Sequence, residues 1–172
     1  VHHTILPLTA RIRPDAAAMI EASTVLENGL RILAPADMLL HNVAHLLADG
    51  DLSGGLRNLW DFDRLVRDLA AASDFWPTLE ARARQHGLAK PLARALRLSA
   101  RLFGTPVEAA FAGAARPGDG LYIRRLTARD GWGRGMRKPI RFAFYLRSHW
   151  IRMPPTMLAR HLWTKAQKRR VP

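Results

Sequence analysis

The chain has 172 residues and is 48% apolar, enough for one buried core, and its length points to a single domain with at most an appendage. No run of about 18 apolar residues occurs, which excludes a membrane-spanning helix, and the absence of cysteine excludes disulfides, thiolate metal sites and a cysteine nucleophile. The net charge of +13 is lopsided: residues 1–120 carry 13 Lys/Arg against 13 Asp/Glu, whereas residues 121–172 carry 14 Lys/Arg against the single acid Asp130.

The opening residues, VHHTILP, lack the charged start, long apolar run and cleavage site of a signal peptide, so the cytoplasm is the default compartment. They also lack an initiator Met, and the chain is expected to be cut from something longer. Val1, His3 and Ile5, then Leu8, Ala10 and Ile12, alternate on either side of Pro7, which predicts one or two edge strands. Asp15 opens a short helix through Met19 and Ile20. Glu27-Asn28-Gly29 is a turn signal, and Leu30, Ile32 and Leu33 read as a short strand.

Pro35 suits the first position of a helix, and Asp37 falls in its first turn, where a negative charge favours the helix dipole. This helix runs to about Ala48 and is apolar nearly all round, the pattern of a buried helix. Gly50, Gly54 and Gly55 break it. The next helix, about Leu56 to Ala72, buries Leu59, Phe62, Leu65, Val66 and Leu69 and carries opposite charges four apart on its outer face. Ser73 or Asp74 caps a helix ending at Gly87, and Pro91 opens another ending at Gly104. Thr105-Pro106-Val107-Glu108 reads as a capping box before a short Ala-rich helix. Arg116 to Gly120 is a break at the charge boundary. Beyond it, Gly131, Gly133 and Gly135 predict a loop. Pro139 then opens a helix that Pro154-Pro155 ends, and a last helix runs from about Thr156 to Lys168.

Three stretches could carry chemistry. His41 and His45 share a helix face at the spacing of paired zinc ligands, but no Glu follows His41, and a third ligand would have to be Asp61, Asp63 or His3. Asp49-Gly50-Asp51-Leu52-Ser53-Gly54 matches the start of a calcium loop, with Asp49 and Asp51 at its first and third positions. Its twelfth position, where a bidentate Glu belongs, is Trp60. Both are weak metal candidates beside structural roles. In the tail, Phe142, Phe144, Tyr145, Trp150 and Trp163 interleave with Arg141, Arg147, Arg152, Arg160, Lys165, Lys168, Arg169 and Arg170. Such a composition can stack bases and contact phosphates, can lie on anionic lipid as a peripheral helix, or can dock its aromatics while its charges stay solvated.

Two segments resemble a known pattern. His2-His3-Thr4-Ile5-Leu6-Pro7 is similar to the Val-Asp-x-His-x-x-Leu strand of an uncharacterised nucleotidyltransferase family in the polymerase-beta-like superfamily. Leu33-Ala34-Pro35-Ala36-Asp37-Met38-Leu39-Leu40-His41, then His45, then Leu56-Arg57-Asn58-Leu59-Trp60-Asp61, resembles the family's Leu-Ser-Pro-Glu-Asp-x-Leu-x-His, His and Leu-Arg-x-Leu-x-Asp elements. The resemblance spans about residues 1–103. It implies an upstream α/β domain whose Gly-Ser and Asp-x-Asp motif holds divalent metal and a nucleoside triphosphate, followed by a helical region that helps form the acceptor site. No Gly-Ser followed by Asp-x-Asp occurs in this chain, so it is expected to hold neither cofactor itself and to need the upstream domain as its partner. On this reading His3 would face that domain. His41, His45 and Asp61 would join the helix pair, with a His45–Asp61 hydrogen bond across it.

The expectation is therefore a mainly α protein, a helical bundle with one to three short N-terminal β-strands. Residues 1–33 would be the edge of the upstream domain, 34–116 the bundle and 117–172 a basic aromatic tail. Its function would be that of the acceptor-side region of a nucleotidyltransferase, incomplete by itself. The alternatives are a non-catalytic module whose tail binds an anionic membrane surface or nucleic acid, and a metal-binding helical domain built on His41 and His45.

Overall fold

A computed structural model describes residues 4–168, so His3, Arg169 and Arg170 lie outside the described residues. The fold is mainly α. Helix α1 (Ala16–Glu21) is capped by Asp15, whose carboxylate accepts from the Ala18 N–H. A two-residue antiparallel ladder follows, β1 (Thr24–Val25) against β2 (Arg31–Ile32), closed by a turn in which Gly29 takes a φ of +79°.

Helix α2 (Pro35–Val43) starts at Ala34 with no side-chain cap and passes directly into a π-helical turn, Ala44–Asp49. Leu39, Leu40, Val43, Leu46 and Leu47 are all buried along this rod, which makes it the central element of the core. Around it pack α3 (Gly55–Leu69), α4 (Phe75–Gln85) and α5 (Ala89–Phe103). Each buried Leu or Phe in such a core contributes roughly 1.5–3 kcal/mol. Gly55 sits where three elements meet: a Cβ there would lie 2.9 Å from Leu126 and 3.3 Å from Leu46.

The short α6 (Ala109–Ala112) starts at Glu108 without a side-chain cap. Thr105 does not form the capping box its spacing suggests. Its hydroxyl instead donates to the buried Asp63 carboxylate at 2.7 Å, beside Ser99. Asp63 also accepts two bonds from Arg67, and a buried carboxylate needs that many donors.

The charge boundary near residue 120 is not a packing boundary. Helices α7 (Asp119–Thr127) and α8 (Lys138–Arg152) add Tyr122, Leu126 and Phe144 to the same core cluster as α2 and α3. Asp119, within the stretch expected to be a break, opens α7 and is buried. It accepts from Arg94 Nε (3.1 Å), Arg97 Nε (2.7 Å) and the Arg116 N–H (3.1 Å). Helix α9 (Pro155–Lys168) extends from the end of α8.

Among the described residues, the edge strands expected at the start of the chain do not form. Leu6 and Ala10 are buried, but the polar groups of this segment serve α8 rather than a sheet. The Arg11 N–H donates to Ile151 O (3.0 Å), Arg11 Nε to Trp150 O (2.9 Å) and Thr9 Oγ1 to Arg152 O (2.6 Å). These are carbonyls that the last turn of a helix leaves without intrahelical partners, so the segment acts as a cap on α8.

Candidate functional site

The two motif histidines stand on the outward side of the central rod. His41 and His45 are exposed, with ring centroids 4.6 Å apart in an edge-to-face arrangement. They line a cleft of about 830 Å³ with Asp49, the segment Thr4–Pro7 and the α1 residues Met19 and Ile20. Partial burial, with the nearby His45 second, pushes the His41 imidazole below its ordinary value, so His41 is neutral near pH 7.

The expected His45–Asp61 bond is not formed. His45 Nδ1 lies 3.5 Å from Asp49 Oδ2, one turn along the same rod, and Asp61 is half-buried on α3. The helix pair is joined by Asn42 instead, whose Nδ2 donates to Asn58 O at 3.1 Å. A histidine facing the cleft cannot also reach across the α2–α3 interface, whereas Asn42, one residue further round, can.

The Asp49–Gly55 loop is organised by cations of the chain itself. Asp51 Oδ1 accepts from the Ser53 N–H at 2.9 Å, and its Oδ2 lies 3.7 Å from the buried Arg125 guanidinium. Asp49 Oδ1 lies 3.7 Å from Arg152. Among the described residues no group of three or more His, Asp or Glu side chains is placed to hold a metal ion.

A polar cluster lies under the rod. Asp37 is fully buried and accepts from Arg82 Nε (2.9 Å) and Nη2 (2.5 Å). Arg82 also donates to Ala18 O, tying α1 to α4. The buried His86 accepts the Asp15 N–H at its Nδ1 (3.2 Å), and its Nε2 lies 3.6 Å from Asp37 Oδ1. The signal that could have found Asp37 is a lone carboxylate on a helix apolar on every side, which requires a buried cation.

The predicted tail contacts differ in their surroundings. Arg147 is half-buried and donates to Leu47 O. Arg152 bonds back to Ser148 O and faces Asp49. Trp150 is half-exposed and lies under the Arg11 guanidinium. Arg141, Arg160 and Lys165 are exposed; Arg141 reaches Gly135 O and Lys165 the Tyr145 hydroxyl. Lys168 ends α9, and its side chain lies outside the described ones.

A family model described as an uncharacterised nucleotidyltransferase matches residues 1–104, from the start of the chain to the glycine that ends α5. No curated protein and no solved structure matches the chain.

Proposed function

The chain belongs to the uncharacterised nucleotidyltransferase family, and from that premise we propose that it is the helical, acceptor-side region of a nucleotidyl-transferring protein whose metal- and triphosphate-binding elements lie upstream of Val1. The observation that carries this reading is the placement of the motif histidines. They face a cleft walled by the segment Thr4–Pro7, not the core.

The chemistry follows from the neutral imidazole. In nucleotidyl transfer an acceptor oxygen attacks the α-phosphorus, the bond to pyrophosphate breaks, and the acceptor gives up its hydroxyl proton. His41 is suited to take that proton, with His45 packed edge-on against it to fix its orientation. Divalent metal on the upstream carboxylates would stabilise the attacking and leaving oxygens. Asp49 and Asp51 of this chain lie against Arg152 and Arg125.

Sequencing the coding region directly upstream of the Val1 codon tests this. Gly-Ser followed by Asp-x-Asp in the same frame is the expected result. An initiation codon at Val1 sinks the reading.

A second reading rests on the exposed aromatics beyond α7. Trp132 is 88% and Trp163 69% exposed, near Arg141, Arg160 and Lys165 in the sequence. Such residues suit an anionic membrane surface or nucleic acid. Binding of the chain to anionic vesicles or single-stranded RNA should then weaken steeply with salt, and a salt-insensitive or absent signal removes it.

A further inference from the structure

A second, smaller cleft of about 510 Å³ lies between the start of α5, the C-terminal half of α8 and Arg11-Ile12. Six cations line it: Arg11, Lys90, Arg94, Arg97, Arg116 and Arg147. Among the described residues Asp119 is the only carboxylate paired with any of them, and it is shared by Arg94 and Arg97. Arg147 is half-buried with no carboxylate partner; it donates to Leu47 O and lies 5.3 Å from the Tyr122 ring. Arg94 lies over the same ring at 4.4 Å. Burial above all, with Arg94 adding and Tyr122 opposing, pushes the Arg147 guanidinium below its ordinary value.

Two further features point the same way. Helix α5 is 15 residues long and starts at this cleft, where Leu88 offers its first turn no side-chain cap. Its positive end therefore adds to the cationic field. The remaining walls are apolar, from Ile12, Leu47, Pro91 and Ile151. A solvated basic face has no need of an apolar floor, whereas a ligand with one charged end and one organic end uses both.

We propose that this cleft binds a small phosphomonoester, its phosphate among Lys90, Arg94, Arg116 and Arg147 and its organic part along Ile12, Pro91 and Ile151. A phosphate presents several acceptor oxygens and nearly two negative charges, which suits several guanidinium forks at once better than a single carboxylate does. The concave shape and apolar walls suit one small molecule rather than a nucleic-acid strand. The site joins the family-matched part of the chain to α8, which lies beyond that match. It stands whether or not the protein transfers nucleotides.

Lys90 and Arg116 are exposed, and neither side chain is bonded to another described residue, so replacing them leaves the packed network of Arg94, Arg97 and Asp119 untouched. The test is calorimetric titration of the 172-residue chain with ribose 5-phosphate, inorganic phosphate and ribose. The expected result is saturable binding of the two phosphate compounds and none of ribose. The double variant K90Q/R116Q should bind about ten-fold more weakly or worse, at an unchanged melting temperature. R57Q, on the outer face of α3, should bind as the parent does. Failure of both phosphate compounds to bind, equal binding of ribose, or unchanged binding by K90Q/R116Q overturns the proposal. So does a short single-stranded oligonucleotide that binds where ribose 5-phosphate does not, since that assigns the charge to an extended polyanion.

Discussion

Asp37 and Arg82, 45 residues apart, meet through two hydrogen bonds from one guanidinium to a carboxylate with no solvent exposure. The pair fixes α4 against the start of α2, and Arg82 carries α1 with it through Ala18 O. Removing the cation strands a buried charge, which typically costs about 3–5 kcal/mol. Arg82→Ala should therefore lower the unfolding free energy obtained from urea melts by that much, whereas Arg84→Ala on the exposed side of the same helix should change it little. Equal effects would show that the buried pair does not hold the bundle.

The same cluster predicts a pH dependence. Burial, and after it the Arg82 charge, hold His86 below its ordinary value of 6.5, so the folded protein keeps it neutral. The unfolded chain then binds a proton that the folded one does not, and stability falls as pH drops below about 6.5, until the lowered folded-state value is reached. Denaturant melts between pH 7.5 and 5 should show this decline, and it should shrink in His86→Asn.

Asp119 gives a second window at lower pH. Although burial alone would raise its pKa, the Arg97 and Arg94 hydrogen bonds and the Arg116 N–H outweigh it and bring the carboxyl from 3.8 down to about 2. Its contribution is complete above about pH 4 and is lost as pH falls toward 2; the shift corresponds to about 2 kcal/mol. Asp119→Asn should flatten the stability profile across that window.

Gly55 predicts a packing effect. An added methyl group would lie 2.9 Å from Leu126 and 3.2 Å from Leu52, two buried side chains. Gly55→Ala should destabilise by about 1–3 kcal/mol despite the better helix propensity of Ala. In thermal melts the double variant with Leu126→Ala should lose less stability than the two single variants summed, because the clash is gone once Leu126 is truncated.

The helices were legible because their signals are local. Pro35, the glycines after Ala48 and the apolar spacing of Leu59, Phe62 and Val66 each act within a few residues. What was not legible depended on distant partners. The N-terminal alternation suggests a strand, but among the described residues no neighbouring strand pairs with it, and its polar groups cap α8 more than 130 residues later. Thr105 carries a capping-box spacing, yet the buried Asp63 outcompetes the helix end for its hydroxyl. The motif histidines were visible as a pair, but the side of the rod they occupy depends on which neighbours cover the other side. The basic cleft was invisible because Arg11, Lys90 and Arg147 come from three separate stretches.

The central claim is that the His41–His45 cleft serves nucleotidyl transfer. It is tested most directly by incubating the protein, together with its upstream-encoded segment, with an α-labelled nucleoside triphosphate, magnesium and a cell extract as acceptor source. The account predicts label transferred to an acceptor with release of pyrophosphate. It also predicts that H41A/H45A reduces the rate by about 100-fold, within the range a general base contributes, at an unchanged melting temperature. Transfer at the parental rate by H41A/H45A, or no transfer by the parent protein, would contradict it.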